Sequence, residues 1–494
     1  MKLRRMLAAG AGAAVLAALP SVAVAQMPQG AAQPPSTKGV VPKGRAPVSK
    51  EVLRVTLPAP SEADLPNGAH LMVLEDRRAP QVTVQIYIPG AGGYFDPPGM
   101  AGLASFTASQ MREGTTQWNT TQLNEELETL AASVAVGAGV SSTEAVLSVS
   151  ALREHLDRVM DIAVDVLLNP TFPEEEFARY KQRTKAGLMQ NRSVPGFLLA
   201  ETANRVMYGD HPASRIVPSV EAIDTVTRAD LVAFHKAKYV PDHAAIAITG
   251  DISMAEARTL VDAKLSAWTR ANTAVPETVD PPMPGPPQVH FVARPSSVQT
   301  SLYVAAPAIS RTSADYDVLE VMNKVIGGGP TGRLFIHLRE DKGYTYGAYS
   351  NLTAGLYRGI WSASTDVRTE VTGPALGDLM GEVTRMRAET VPAEELEAAK
   401  RSLVAAFALS LESPQSIMGL HLTRWRYKLA ADYWDKQPQR IMAVTAAQVQ
   451  AAATRYLDPA KLQIVAVGDA AKIAELLANH GTVVTYDTEG KIIK

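Results

Sequence analysis

The stretch VTRADLVAFHKAKYVPDHAAIAITGD, residues 226–251, returns in outline as VTAAQVQAAATRYLDPAKLQIVAVGD at 444–469. Each begins with Val-Thr, runs through a segment ending in tyrosine (Tyr239, Tyr456), and closes on a short apolar run capped by Gly-Asp. Thr227 and Thr445, like Asp251 and Asp469, stand 218 residues apart. Upstream, Pro173-Glu174-Glu175-Glu176-Phe177 followed by Lys181 parallels Pro392-Ala393-Glu394-Glu395-Leu396 followed by Lys400, at an offset of 219. Several matches in one order at nearly one offset indicate a duplicated domain, and units this long are globular domains, not a solenoid.

Working outward, two Pro-rich stretches punctuate the chain. Residues 26–50 read as a flexible leader, and 269–288, with six prolines, as a linker. They bound an N-terminal domain at 51–268 and a C-terminal domain at 289–494. Alternating TVQIYI at 83–88 runs into a Gly-rich turn as a strand does, and 153–169 carries apolar residues at helical spacing. Strands near the ends of each half with long helices between predict an α+β fold: two tandem homologous domains, each a mostly antiparallel sheet packed against helices.

The N-terminus reads as an address. Lys2, Arg4 and Arg5 precede an apolar stretch from Leu7 to Leu19, and Ala23-Val24-Ala25 supplies a small-residue cleavage site. The stretch is too short to span a bilayer, so residues 1–25 are expected to be a signal peptide cut after Ala25, leaving a mature protein in the periplasm or outside the cell, without a membrane span.

Composition excludes several chemistries. The 494 residues include no cysteine, so thiolate metal sites, thiol nucleophiles and disulfides are out. Lys+Arg (48) and Asp+Glu (50) nearly balance, leaving no basic excess for nucleic acid. Neither G-x-S-x-G nor S-x-x-K occurs, so no serine is activated as a nucleophile.

Gly102-Leu103-Ala104 with Gly114-Thr115, Tyr208-Gly209-Asp210-His211-Pro212, and in the second half Gly327-Gly328-Gly329, Gly332-Arg333-Leu334-Phe335, Leu338-Arg339, Gly343 and Tyr346 together resemble the insulinase/pitrilysin metallopeptidases. The likeness runs over roughly 55–470 and is to the two-domain branch that includes mitochondrial processing peptidase. Active members carry H-x-x-E-H, whose histidines share a helix face to hold zinc while the glutamate acts as base. Here GLASFTASQMREGT (102–115) places Ser105 and Ser109 at the histidine positions and Ala108 at the glutamate. The third ligand would fall near Ala186-Gly187, and Phe177 through Ala200 contains no Asp or Glu. The two nearest histidines, His235 and His243, are eight apart, so no helical zinc pair forms elsewhere. His211 and His235 read as partners of nearby backbone groups.

The resemblance implies that Arg339 and Tyr346 form the family's Arg/Tyr pair, which donates hydrogen bonds to substrate backbone near the scissile carbonyl. The plain reading of the same residues is an ion pair of Arg339 with Glu340 or Asp341 and a tyrosine packed on a strand. Gly327, Gly328 and Gly329 either bring backbone close to a peptide or simply end a helix. Together these features imply a non-catalytic, substrate-binding subunit, inactive alone and without a cofactor of its own. Its expected partner is a homologous subunit bearing H-x-x-E-H and zinc, and its substrate a peptide or unfolded polypeptide. The alternative is a catalytically dead periplasmic peptide-binding or scaffold protein.

Overall fold

A computed structural model describes residues 51–493; the expected signal peptide and leader lie outside the described residues. The first sheet contains β1 (Ser61–Asp64), β2 (His70–Glu75), β3 (Gln81–Pro89), β4 (Ser133–Ala138), β5 (Glu144–Leu152) and β6 (Ala245–Gly250), in the order β1-β2-β6-β3-β5-β4. The second contains β7 (Val289–Ala293), β8 (Gln299–Pro307), β9 (Thr345–Leu352), β10 (Ile360–Arg368), β11 (Gln463–Gly468) and β12 (Val483–Tyr486), in the order β12-β7-β11-β8-β10-β9. Five strands correspond. β2/β6 and β7/β11 are parallel, and the next three pairs in each sheet are antiparallel. The sixth strands differ: β1 runs antiparallel to β2, β12 parallel to β7.

Alternation sets the faces. In β3, Val82, Val84, Ile86 and Ile88 point into the first core, while Thr83, Gln85 and Tyr87 face the other way. The helices on the core side are α1 (Leu103–Gln110), α2 (Leu156–Leu168), α3 (Glu174–Asn191) and, in the second half, α6 (Tyr316–Ile326), α7 (Thr372–Ala388) and α8 (Ala393–Ser410), each presenting apolar residues inward.

The repeated residues have repeated tasks. Thr227 and Thr445 each form a capping box, with Asp230 and Gln448, that opens the helices α5 (Arg228–Lys238) and α10 (Ala446–Tyr456). Lys181 from α3 donates to the Val226 carbonyl (2.9 Å), and Lys400 from α8 to the Val444 carbonyl (3.3 Å). The sequence repeat thus marks a lysine that ties a long helix to the turn before the next one. Gly250 closes β6 at φ +133°, where a Cβ would lie 2.0 Å from the Gln81 carbonyl oxygen.

Strands β6 and β11 are buried along their whole length, so both faces are covered. The second cover comes from the other half. Helix α4 (Pro195–Tyr208) leaves the first half and lies on β8 and β11, with Leu198 against Val292, Val467 and Tyr486. Helix α9 (Pro414–Tyr427) returns the exchange, packing Ile417, Met418 and Leu422 against Met72, Leu74, Ala245 and Ala247. Both helices carry proline in the first turn, where its missing N–H costs nothing. Residues 269–288 contain neither helix nor strand, yet they are fixed. The Val279 N–H donates to the Tyr94 hydroxyl (2.9 Å) and the Arg358 N–H to the Asp280 carboxylate (2.7 Å), which fastens the stretch to both halves.

Met418 is 1% exposed at the centre of this exchange. Met418→Ala should cost about 2–5 kcal/mol. Calorimetry should show one transition for the whole described unit, moved down; two separate transitions would mean that the halves fold independently.

Candidate functional site

Helix α1 is built at its N-terminus by Asp96. Its Oδ2 accepts the Gly102 N–H (2.7 Å) and its Oδ1 the Ala104 N–H (2.9 Å), satisfying donors that a helix start leaves open. Gly102 sits at φ +116°, and a Cβ there would meet Pro218 at 2.6 Å. Along the helix Leu103, Ala104, Phe106 and Ala108 are buried, while Ser105 and Ser109, one turn apart, share the half-exposed side. Across from them on α3, the Tyr180 hydroxyl donates to Ser109 Oγ (3.1 Å), and the Tyr180 ring meets Phe106 edge-on at 6.0 Å. Ala186 is exposed and Gly187 half-buried further along α3.

The donor set here is two serine hydroxyls, a methyl group and a phenol already bonded to one of those serines. These residues do not fit zinc: neutral hydroxyls are poor ligands, and Ala108 offers no base. Among the described residues no group of three or more His, Asp or Glu side chains is arranged to hold a metal ion. His211 and His235 make backbone contacts, to the Val279 carbonyl (3.0 Å) and the Leu167 carbonyl (2.8 Å), and burial lowers the pKa of each.

The second half brings Arg339 and Tyr346 together. Arg339 lies in a π-helical turn, Ile336–Asp341, and Tyr346 at the start of β9. The guanidinium stands 5.5 Å from the Tyr346 ring and 4.7 Å from that of Phe335. Arg339 Nη1 also donates to Glu340 (2.9 Å), so its expected ion pair and its place beside Tyr346 coexist. Tyr346 is 90% exposed and does not pack on the sheet. It borders a cavity of about 690 Å³ between Gly196 and Leu199 of α4 and the inner face of β9 and β10, where Tyr349, Ser364 and Asp366 line the wall.

The glycine loop ends α6, and most of its backbone groups are engaged within the chain. The Gly327 N–H donates to the Asn323 carbonyl, and its own carbonyl accepts the Ser350 N–H (2.9 Å). Gly328 likewise donates to Asn323 and accepts from the Lys324 ammonium (2.8 Å). A Cβ on Gly327 would lie 2.6 Å from the Ser350 nitrogen. Gly327 and Gly328 therefore let the end of α6 press against β9, with their polar groups already engaged. Gly329 follows at φ +146° and accepts the Gly332 N–H, closing the loop. Sequence reasoning missed Tyr180, whose only signal was an aromatic residue on the helix expected to supply the third ligand.

Two family models match this chain: insulinase (peptidase family M16) over residues 71–216, and the peptidase M16 inactive domain over 225–403. A structure from Pseudomonas fluorescens described as a peptidase M16 inactive domain superposes with TM-score 0.77 at 27% identity, covering 83% of this chain and 98% of that one. A Helicobacter pylori protease shares the fold at TM-score 0.76 and 15% identity, over 83% and 100% of the two chains. An uncharacterized zinc protease of Bacillus subtilis is 21% identical over 71% of this chain and 84% of its own length; one from Mycobacterium tuberculosis is 23% identical over 73% and 82%. The chain belongs to the insulinase (M16) peptidase family.

Burial raises the Asp96 carboxyl from 3.8 to about 6, against the pull of its N–H partners and Arg215. The folded state thus holds this proton more tightly than the unfolded chain. The linked stability is complete below about pH 4 and is lost as pH rises through about 6. Urea unfolding should show the wild-type chain losing stability relative to Asp96→Asn across that window; a constant difference would mean that Asp96 titrates normally.

Proposed function

We propose that this chain is the non-catalytic, substrate-binding subunit of a heterodimeric insulinase-family zinc peptidase acting on peptides or unfolded polypeptides. The observation that carries the reading is a contrast within one chain. Helix α1 forms without metal ligands, whereas Arg339, half-buried, and Tyr346, exposed, stand together. A partner with H-x-x-E-H would supply the zinc, which polarises the scissile carbonyl and activates water. Arg339 and Tyr346 would donate hydrogen bonds to the carbonyl oxygen as negative charge develops on it.

The sheets offer a route for an extended substrate. The side of each sheet that receives the exchanged helix is covered only in part, leaving Thr83, Gln85, Ser148 and Ser150 half-exposed on one sheet and Ser364 and Tyr349 on the other. These polar groups can hydrogen-bond a peptide backbone, and Asp366 and Arg368 add one charge of each sign beside Ser364. Strand β4 ends the first sheet, with Ala135 and Gly137 exposed and little side-chain bulk against an added strand. The subunit would act in the periplasm or outside the cell, after removal of residues 1–25.

Mixing the purified mature chain with an H-x-x-E-H homologue from the same genome should give a stable one-to-one complex with peptidase activity that neither chain shows alone, and this chain should carry no stoichiometric zinc. If the chains elute separately at micromolar concentration, the scaffold reading takes its place. In the complex, Tyr346→Phe should lower turnover roughly 100- to 1,000-fold while zinc content and assembly stay intact. Turnover unchanged within twofold would make the pair structural.

A further inference from the structure

We propose that His337 and Glu382 are positioning residues, holding the π-helical turn in the register from which Arg339 and Tyr346 meet substrate. The inference rests on the donor role proposed above for that pair.

The turn carries one residue more than an α-helical turn would. The Lys342 N–H reaches back to the His337 carbonyl (3.1 Å), and the Tyr344 N–H to the Leu338 carbonyl (3.0 Å). Such insertions lose ideal hydrogen-bond geometry and persist where neighbouring contacts hold them. Gly343, at φ +62°, then turns the chain toward β9. Relaxation to α-helix would shift every residue after the insertion by one position, about 100° of rotation, and carry Arg339 away from the Tyr346 ring.

Three anchors oppose that relaxation. Arg333, at the head of the turn, makes a two-pronged ion pair with Glu395 of α8 (2.7 Å each). Leu338 is fully buried in the second core. Between Leu338 and Arg333, His337 is clamped against α7. Its Nδ1 lies 3.0 Å from Glu382 Oε1 and its Nε2 3.8 Å from Asp378 Oδ2, with the two carboxylates one helical turn apart. Glu382 is 5% exposed, its Oε2 is buried without a hydrogen-bond partner, and the Arg385 guanidinium reaches Oε1 at 3.6 Å. A carboxylate kept in so poor a setting is costly to the fold, and its direct contact is with the residue two before Arg339. Arg339 has exposed company in Glu340 and Tyr346, and its one buried neighbour among these contacts, the Phe335 ring, belongs to the same helical segment, so its direction follows the backbone of the turn.

Two measurements test this. In the full-length chain alone, His337→Ala and Glu382→Gln should speed hydrogen exchange at the Lys342 and Tyr344 amides at least tenfold; unchanged exchange overturns the proposal whatever the fate of the donor reading. In the active heterodimer, His337→Ala should lower kcat about tenfold or more with KM within twofold. In an Arg339→Ala background, the same change should have no further effect, because its action passes through Arg339. Equal losses in both backgrounds would mean that His337 only supports the fold, and would overturn the proposal. Should Arg339→Ala and Tyr346→Phe prove silent, the donor reading fails by itself, while the exchange measurement still decides whether the pair holds the turn.

Discussion

The apolar strip Met72, Leu74, Ala245 and Ala247 on the second face of the first sheet is covered chiefly by the other half of the chain, through Phe407, Ile417, Met418, Leu422 and Trp434, with Leu57 added from its own half. The second sheet has the same need, and α4 meets it. Each fully buried Leu, Ile or Met side chain in such a contact contributes about 1.5–3 kcal/mol. The exchange makes the two sheets one unit and leaves β6 and β11 buried on both faces. It also stops partway. Helix α4 contacts β8 and β11, and beyond it β9 and β10 present Tyr349, Ser364 and Asp366 to an open cavity. The constraint that joins the halves therefore also sets aside the polar surface on which the proposed substrate would lie.

Helix α1 shows how completely fold and chemistry separate in this family. Asp96 closes its N-terminus, and Leu103, Ala104 and Phe106 fill the core whether or not the other side can bind metal. A zinc site would set two imidazoles and a carboxylate on the face of this helix, and without the metal those groups would face one another with unmet polar demands. Hydroxyls at 105 and 109 and a methyl at 108 make no such demand, and Tyr180 bonds directly to Ser109. The absence of the ligands is thus compatible with an intact helix.

The duplication was legible because its marks are covalent and local. A lysine two turns into a helix, a Val-Thr that caps the next, and a Gly-Asp that ends a strand all recur at nearly one spacing, and each does the same task in both halves. The loss of the zinc ligands was equally plain, since it needs only residue types. The helix exchange was not legible. Periodicity shows that Pro195–Tyr208 and Pro414–Tyr427 have apolar sides, but one apolar stripe fits either sheet, and the choice is made by long-range packing. The surroundings of the glycine loop were hidden for a related reason. Gly-Gly-Gly announces close approach without naming what approaches, and here it is Ser350 of the same chain. No residue pattern announces a π-helical turn, because it depends on contacts from α7 and α8 made 40 to 60 residues later.

Arg339 brings the two ways of reading a residue into direct contact. Its ion pair with Glu340 is what the neighbouring residues alone would suggest, and its place beside Tyr346 is compatible with the substrate-donor pair that the family resemblance implied. The two do not compete on equal terms. An exposed pair of this kind is worth about 0–1 kcal/mol, whereas a charge-assisted hydrogen bond to a carbonyl in a closed, water-poor chamber is stronger. Glu340 thus holds the guanidinium near its working direction at little cost, and a developing oxyanion could draw it away without disturbing the fold. The Tyr346 hydroxyl needs even less rearrangement, since its ring already stands clear of the sheet. What fixes both is the rigid turn beneath them, so the precision of the proposed site resides in buried residues that never touch substrate.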